Sequence, residues 1–334
     1  SFVPSLIKGM YDKLAFTASF SIEYMFSNTY IPYEYGGING MVDIVYVEPA
    51  NSIYVLGEEL RVYNSNYATV ITDITIDGLT NSISLCYNHV SSYLYALSRN
   101  ALFQIDPYIN LVIASYSFAS DAYSIKLNSD NGDIYVSFEN STDLYVYPVN
   151  QSIPEIVDVS PYYTYNMAFN EFETDMYITT NLASILRING DSRTIQSTYP
   201  ILAATHSIEY DPENEAIYVM ADGSNLKKID NNVVVDLPSI TAGTFDSMIF
   251  NNLTSTMNIS SDSGFSSILV DNDVIYFTST PIGYGEQALS QFDGDIYVGI
   301  DSQILVVDSA TGQTKKMIPF SGGRLTKLIY NPDR

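Results

Sequence analysis

Tryptophan is absent from this chain of 334 residues, cysteine occurs once and histidine twice. Each shortage closes off a class of chemistry. The single cysteine, Cys86, cannot form an intrachain disulfide. It lies in the apolar stretch Ile83 to Tyr87, where a small buried hydrophobe is the expected role. One cysteine and two histidines, His89 and His206, cannot supply the three or four His/Cys ligands of a zinc site. Basic residues are scarce as well: 14 Lys and Arg stand against 38 Asp and Glu, for a formal charge of −24. So acidic a surface repels phosphate backbones, which excludes nucleic acid as a partner. No stretch approaches the roughly 20 consecutive apolar residues of a transmembrane helix, so the chain is not expected to span a membrane.

What is present repeats. Residues 289–319 alternate strand and turn: Leu289 to Phe292, Ile296 to Ile300, Ile304 to Val307, Thr314 to Ile318. Asp293-Gly294 and Thr311-Gly312 are hairpin signals, because glycine accepts the positive φ of a tight turn. Four short antiparallel strands in about forty residues make one blade of a β-propeller. The tyrosine of the second strand marks the period: Tyr54, Tyr95, Tyr135, Tyr177, Tyr218, then Asn258 and Tyr297, at spacings of 41, 40, 42, 41, 40 and 39 residues. Before each marker a first strand ends in an aromatic or Leu followed by Asn or Asp: Tyr87-Asn88, Leu127-Asn128, Phe169-Asn170, Tyr210-Asp211, Phe250-Asn251, Phe292-Asp293. After it comes a third strand, which in the sixth unit is expected at Ile268 to Asp271, beyond a polar loop over Ser260 to Gly264.

The two ends of the chain complement each other. Leu328-Ile329-Tyr330-Asn331-Pro332 copies the first strand once more, and Lys13 to Thr17, Phe20 to Tyr24 and Thr29 to Tyr35 read as second, third and fourth strands. A propeller that left these edges unpaired would aggregate, so one C-terminal and three N-terminal strands are expected to share a closing blade. The expected fold is all-β, a β-propeller of eight four-stranded antiparallel blades, with seven as the alternative. It forms one domain over 1–334: an extension at 1–11, seven consecutive blades at 42–323, and a closing blade from 12–41 and 324–334. Because the chain starts with Ser1 and stops at Arg334 after one strand, it is expected to be a piece of a longer polypeptide.

The wording Ile296-Tyr297-Val298 followed by Ile304-Leu305-Val306-Val307-Asp308-Ser309-Ala310-Thr311-Gly312-Gln313-Thr314 resembles the YVTN repeat, a propeller repeat of archaeal and bacterial surface proteins. The strand pattern extends that resemblance over nearly the whole chain. It implies a propeller on a cell or particle surface and implies no catalytic residues. Low Lys and Arg with abundant Tyr, Ser, Thr, Ile and Asn also resemble exported proteins of archaea and their viruses.

Candidate functional residues lie in the connections. Turns from first to second strand are short and acidic. Asp130-Asn131-Gly132-Asp133 and Asp271-Asn272-Asp273 offer oxygen ligands but lack the distal Glu of a calcium loop, and hairpin geometry accounts for them. Connections from a fourth strand to the next first strand are longer and rich in Tyr, Gly, Ser and Thr: Tyr33 to Met41, Ser160 to Tyr165, Ser197 to His206, Thr280 to Gln287. Loops on a rigid scaffold are where binding resides. Tyr162, Tyr163, Tyr165, Tyr284 and His206 are therefore the candidate ligand-binding residues, since tyrosine-rich loops serve recognition and phenol rings stack on sugars. Asn140, Asn150, Asn252 and Asn258 head sequons and are candidate glycan sites, though Asn, Ser and Thr are abundant enough to produce as many by chance.

Neither a metal nor a cofactor nor a catalytic residue is expected. No Gly-x-Ser-x-Gly elbow is present, and propeller enzymes with quinone cofactors or lyase chemistry use Trp, Arg or His sets that this chain lacks. The expected function is a non-enzymatic recognition module outside the cell: the propeller head of a surface adhesin or virion host-attachment protein, contacting a receptor or glycan. A structural subunit of a surface layer or virion, contacting neighbouring subunits, is the alternative, and a propeller lyase or hydrolase the second. The scarcity of Lys and Arg leaves few native ion pairs for acid to break, so the fold is expected to tolerate acid.

Overall fold

A computed structural model of the chain arranges 32 strands in eight four-stranded sheets, each sheet antiparallel wherever its pairing is described. It describes residues 43–64, 70–149, 151, 153–221, 225–238, 245–261, 264–278, 287–289, 295–300, 303–308, 311 and 313–319, with the strand backbones 14–18, 21–26, 29–31 and 325–330.

The chain divides into two compact units. One of them spans Ile76–Ala242 together with Val270–Val274. It contains blade two (Ser82–Asn88, Tyr93–Ser98, Ala101–Asp106, Leu111–Ser117), blade three (Ala122–Leu127, Ile134–Phe138, Asp143–Tyr147, Glu155–Asp158), blade four (Thr164–Asn170, Asp175–Thr180, Ser184–Asn189, Ile195–Pro200) and blade five (Thr205–Asp211, Ala216–Ala221, Asn225–Asp230, Val233–Asp236). The first strands of these four blades lie side by side in order. The other unit holds blade one (Asp43–Val47, Ser52–Leu56, Leu60–Asn64, Val70–Ile74), blade six (Phe245–Asn251, Thr256–Ser261, Gly264–Leu269, Val274–Thr278) and blade seven (Gln287–Leu289, Ile296–Ile300, Gln303–Val307, Thr314–Pro319). It also holds the closing sheet, where Leu325–Tyr330 pairs with Leu14–Ala18, followed by Ser21–Phe26 and Thr29–Ile31. The eighth blade is thus built from both termini as the sequence indicates, and its first strand lies beside those of blades seven and one.

Second strands are apolar on both faces because both faces are covered, so Ile134–Phe138 and Ala216–Ala221 are buried at every position. Fourth strands are more exposed, and along Leu111–Ser117 of blade two exposed and half-buried residues follow one another, as expected of an edge strand with one wet face. The marker tyrosines are core residues, Tyr54, Tyr135 and Tyr218 being fully buried. Their hydroxyls find partners in a neighbouring turn: the Tyr218 hydroxyl donates to Asp273 Oδ1 at 2.9 Å, and that of Tyr177 donates to Glu173 Oε2 at 2.7 Å. A buried phenol without such a partner would cost stability.

The aromatic-Asx signature has a local cause. Asn88, Asn128, Asn170 and Asp211 are buried at the end of each first strand. Each side-chain Oδ1 accepts two backbone N–H groups of the turn that follows, from Val90 and Ser91, Asp130 and Asn131, Phe172 and Glu173, Glu213 and Asn214. The Asx closes the hairpin by holding donors that the ladder cannot reach.

Two expectations need correction. In blade six Ser260 and Ser261 belong to the second strand, pairing with Phe265 and Gly264 of the third, so these residues are strand and not part of a polar loop over Ser260 to Gly264. The third strand accordingly runs over Gly264–Leu269, four residues earlier than its hydrophobic content suggests. The first strand of blade seven is Gln287–Leu289, and Phe292-Asp293 lies outside the described residues.

Candidate functional site

The connections from fourth to first strand share a face with the turns between second and third strands, and the backbone ties the two sets together. In blade four the N–H of Tyr163 donates to Asn181 Oδ1 at 2.8 Å, and the N–H of Asn181 donates to the Tyr163 carbonyl at 3.1 Å. On the far side of the same turn, the N–H groups of Ile201 and Leu202 donate to the Ala183 carbonyl. Tyr162 and Tyr163 are half-buried, and Tyr162 packs against the core between blades three and four. Leu182 and Leu202 of this face are 52% and 88% exposed, so apolar surface flanks the tyrosines.

The sheets themselves contribute the more regular feature. At the start of the first strand, the ladder slips by one residue between Ser82 and Ser84, Ala122 and Ser124, Thr164 and Met167, and Thr205 and Ser207. Each slip is a β-bulge, which re-aims a side chain and sharpens the local twist. The extra position falls five residues before the Asx in every case: Ile83, Tyr123, Tyr165 and His206. Within the other unit the slips between Phe245 and Ser247, and between Leu325 and Lys327, put Asp246 and Thr326 at the same point of blades six and eight. The backbone device repeats while the side chain it presents does not.

In blades three and four those side chains meet. The rings of Tyr123 and Tyr165 pack edge to face, with centroids 5.0 Å apart and planes at 60°, an arrangement worth about 1 kcal/mol beyond its buried area. Ser137 Oγ donates to the Tyr165 carbonyl at 2.8 Å, and Thr179 Oγ1 accepts the Asn166 N–H at 2.9 Å, so side chains satisfy the backbone that the bulge frees. Burial, with the phenol of Tyr165 beside it, pushes the Tyr123 hydroxyl above its ordinary value. Tyr123 nevertheless remains 37% exposed, leaving part of the ring open to a partner.

The residues singled out from sequence are thus partly brought together. Tyr162 and Tyr163 lie in the connection as expected. Tyr165 does not: it belongs to the first strand, because the bulge begins the ladder at Thr164. His206 also falls at a bulge position, in Thr205–Asp211. Tyr284 lies outside the described residues, as does Asn150. Asn140 and Asn252 are exposed in turns. Asn258 is fully buried in Thr256–Ser261, its Nδ2 donating to Thr256 Oγ1 at 3.0 Å, which leaves no room for a glycan on the folded protein.

Sequence reading missed Tyr123, Leu182 and Leu202. Only counting back five residues from each Asx would have found the first. The acidic turns hold protein partners: Asp133 pairs with Arg193 at 2.7 Å, and Asp273 receives Tyr218 and faces Lys228 at 3.3 Å. Among the described residues no group of three His, Cys, Asp or Glu is placed to hold a metal ion, and no helix is long and apolar enough to cross a membrane.

Neither a protein-family model nor a curated protein matches the chain. Solved structures do. The chain is similar to the dihydro-heme d1 dehydrogenase NirN in complex with DHE, at TM-score 0.79 and 12% identity, over 96% of this chain and 75% of that one. Sqt1 of Saccharomyces cerevisiae follows at TM-score 0.75 and 11% identity, over 86% of this chain and 88% of the other. The β-propeller domain of Myceliophteria thermophila Cps50 (Swd1) aligns at TM-score 0.60 and 9% identity, over 88% of this chain and 90% of that domain. The chain is a β-propeller. At such identities the likeness extends to the fold alone, and the function of this propeller rests on its own residues.

Proposed function

We propose that this propeller is a non-enzymatic recognition module, the head of a surface adhesin or virion attachment protein that grips a receptor or glycan with its fourth-to-first face. One observation carries the reading: a bulge repeated at one point of successive first strands presents a different side chain each time, and two of these form the half-exposed Tyr123–Tyr165 pair. A fixed scaffold with variable tips is the arrangement of a binding surface. The groups there stack and hydrogen-bond; the Tyr123 phenol, whose proton burial holds more firmly, is a poor acid or base near neutral pH. A site outside the cell or on a virion suits the acidic, lysine-poor composition.

The test is binding of the intact chain to host envelope material and to a glycan array. Replacing Tyr123 and Tyr165 with Ala should weaken attachment by about 1 kcal/mol or more per ring while the domain stays folded. Undiminished binding by the double variant, with binding abolished by charge changes in the acidic turns at Asp130 and Glu213, would sink the reading.

A second reading, contact with neighbouring subunits of a surface layer or virion, is favoured by the outer strands. Ile109, Leu111 and Ile113 of blade two are 58%, 57% and 45% exposed, and Ile156 and Val233 continue the theme on blades three and five. Self-association that depends on these aliphatics, without host binding, would select it.

A further inference from the structure

Leu202 is held where folding gains nothing from its side chain. It is 88% exposed, and its backbone sits at φ 67°. A left-handed backbone crowds the Cβ and is an outlier for a bulky residue. The described residues that share this geometry are mostly Asn, Ser and Asp, and Leu202 is the one large aliphatic among them. Strain without a packing gain points to a use outside the fold. Its surroundings are of one kind. The turn between the second and third strands of blade four carries Leu182, 52% exposed, between Asn181 and Ala183. Hydrogen bonds join that turn to the connections on both sides, to Tyr163 through Asn181 and to Ile201 and Leu202 through the Ala183 carbonyl. Pro161 and Ala204 of those connections are exposed, and Tyr162 and Tyr163 are half-buried. Residues 159–170, 176–186 and 194–208, which hold all of these, contain no Asp, Glu, Lys or Arg. The fold does not demand this. The equivalent turns of blades two and three carry Arg99 and Glu139, which pair at 3.1 Å.

We propose that this sector of blade four docks on the surface of a lipid bilayer, Leu182 and Leu202 entering the acyl boundary and Tyr162 and Tyr163 lying at headgroup level. Four backbone N–H groups at the tips, those of Tyr163, Asn181, Ile201 and Leu202, are donated within the sector itself. Lipid offers no hydrogen bonds, so a loop enters it best with its backbone already paired. Charge is expensive there, and the sector has none. Tyrosine favours the interface, where its ring meets apolar chains and its hydroxyl meets water. A protein partner could pair open N–H groups and charges at its rim, so it does not require tips that are uncharged with the backbone paired. The contact is peripheral, since two leucines bury far less than a membrane span. The rest of the chain sets the sign of the lipid. An anionic leaflet repels a formal charge of −24, so the matching surface is zwitterionic.

Lipid docking goes beyond receptor or glycan binding and uses neither Tyr123 nor Tyr165. Phosphatidylcholine vesicles, which carry neither receptor nor glycan, test it with the intact chain, so failure on them leaves the receptor reading standing. The sequence has no tryptophan, and Leu202→Trp therefore installs the only indole at the tip. Its emission should shift to the blue as lipid is added. Leu111→Trp, at a 57% exposed position on the outer strand of blade two, should not shift. Cosedimentation with the vesicles should fall about tenfold for Leu202→Asn, the scale of one buried leucine, and similarly for Leu182→Asn. Asparagine accepts a left-handed backbone more readily than leucine, so Leu202→Asn should keep or raise the melting temperature while binding is lost. A purely structural Leu202 would lower it instead. Admixed phosphatidylglycerol should weaken binding, and added salt should restore it. The proposal is overturned by the absence of a blue shift at millimolar lipid, by an equal shift from Leu111→Trp, or by leucine dependence that appears only with a protein of the host envelope.

Discussion

At Asn170 one buried amide closes a turn. Its Oδ1 accepts the N–H groups of Phe172 and Glu173, both at 3.0 Å, and its Nδ2 donates to Glu173 Oε2 at 3.0 Å. Alanine there would take the acceptor from two part-buried backbone donors of the turn. We expect Asn170→Ala to cost about 1–3 kcal/mol in urea unfolding. Asn252→Ala, exposed in the matching turn of blade six, should stay within about 0.5 kcal/mol. Equal effects at the two positions would show that the amide is not what closes the turn. The Asx was legible in the sequence because its chemistry is obligatory and its spacing regular. Tyr123 was not legible, because Ile83, Tyr123, Tyr165, His206, Asp246 and Thr326 share a backbone position and no chemistry. A bulge constrains the register and leaves the residue type open, so composition carries no trace of it.

At the scale of strands and sheets, the hydrophobic period predicted the blades and failed where polar residues are buried. Ser260 and Ser261 looked like loop, yet they extend a strand: Ser260 is buried opposite Phe265, and Ser266 and Ser267 of the third strand are buried beside it in the same sheet. Propensity yields to tertiary packing there. The closing blade shows the reverse case, in which two weak strand signals far apart in sequence reinforce each other. Leu14 pairs with Tyr330 and Phe16 with Leu328, so removing the N-terminal strands strips Leu325–Tyr330 of its only partner within the sheet. Deleting residues 1–35 should therefore expose an apolar edge and give aggregation, or a clear drop in melting temperature, by light scattering and calorimetry. A truncated chain that stays monomeric with an unchanged melting point would mean that this blade contributes little.

For the molecule as a whole, charge scarcity suggests acid tolerance, and the ion pairs reverse that expectation. Three of the basic residues are committed to enclosed carboxylates: Arg187 to Asp175 at 2.5 Å, Arg193 to Asp133 at 2.7 Å, Lys315 to Asp295 at 2.6 Å. Those three aspartates are 1%, 3% and 2% exposed. Losing one partner of such a pair costs about 3–5 kcal/mol, whereas repulsion among exposed carboxylates is screened beyond about 8 Å at physiological salt. Asp308 adds to this: burial pushes its carboxyl up, but hydrogen bonds from Lys315 and Thr311 outweigh burial and hold it below its ordinary value. Its contribution is present above the unfolded carboxyl value and lost as pH falls through the lower folded one. Cooperative unfolding by roughly pH 3 is expected, followed by circular dichroism.

The alkaline limit follows from the tyrosines with the opposite sign. Burial pushes Tyr63 and Tyr95 up to about 12, and raises Tyr135, Tyr147, Tyr177 and Tyr218 as well. An unfolded chain releases these protons near pH 10, so above that value the folded state holds protons that the unfolded state has shed. Stability must then fall as pH rises from about 10 toward 12. With 29 tyrosines the process is directly visible as phenolate absorbance. Exposed rings should titrate smoothly, and the buried group should ionise in one step together with loss of the sheet signal. Tyr218→Phe removes one such proton and its bond to Asp273, so it should lower stability at neutral pH by about 1 kcal/mol and make the alkaline transition shallower. Smooth titration of all the tyrosines with the sheet signal intact would contradict the burial of the marker residues, and with it the way the blades pack.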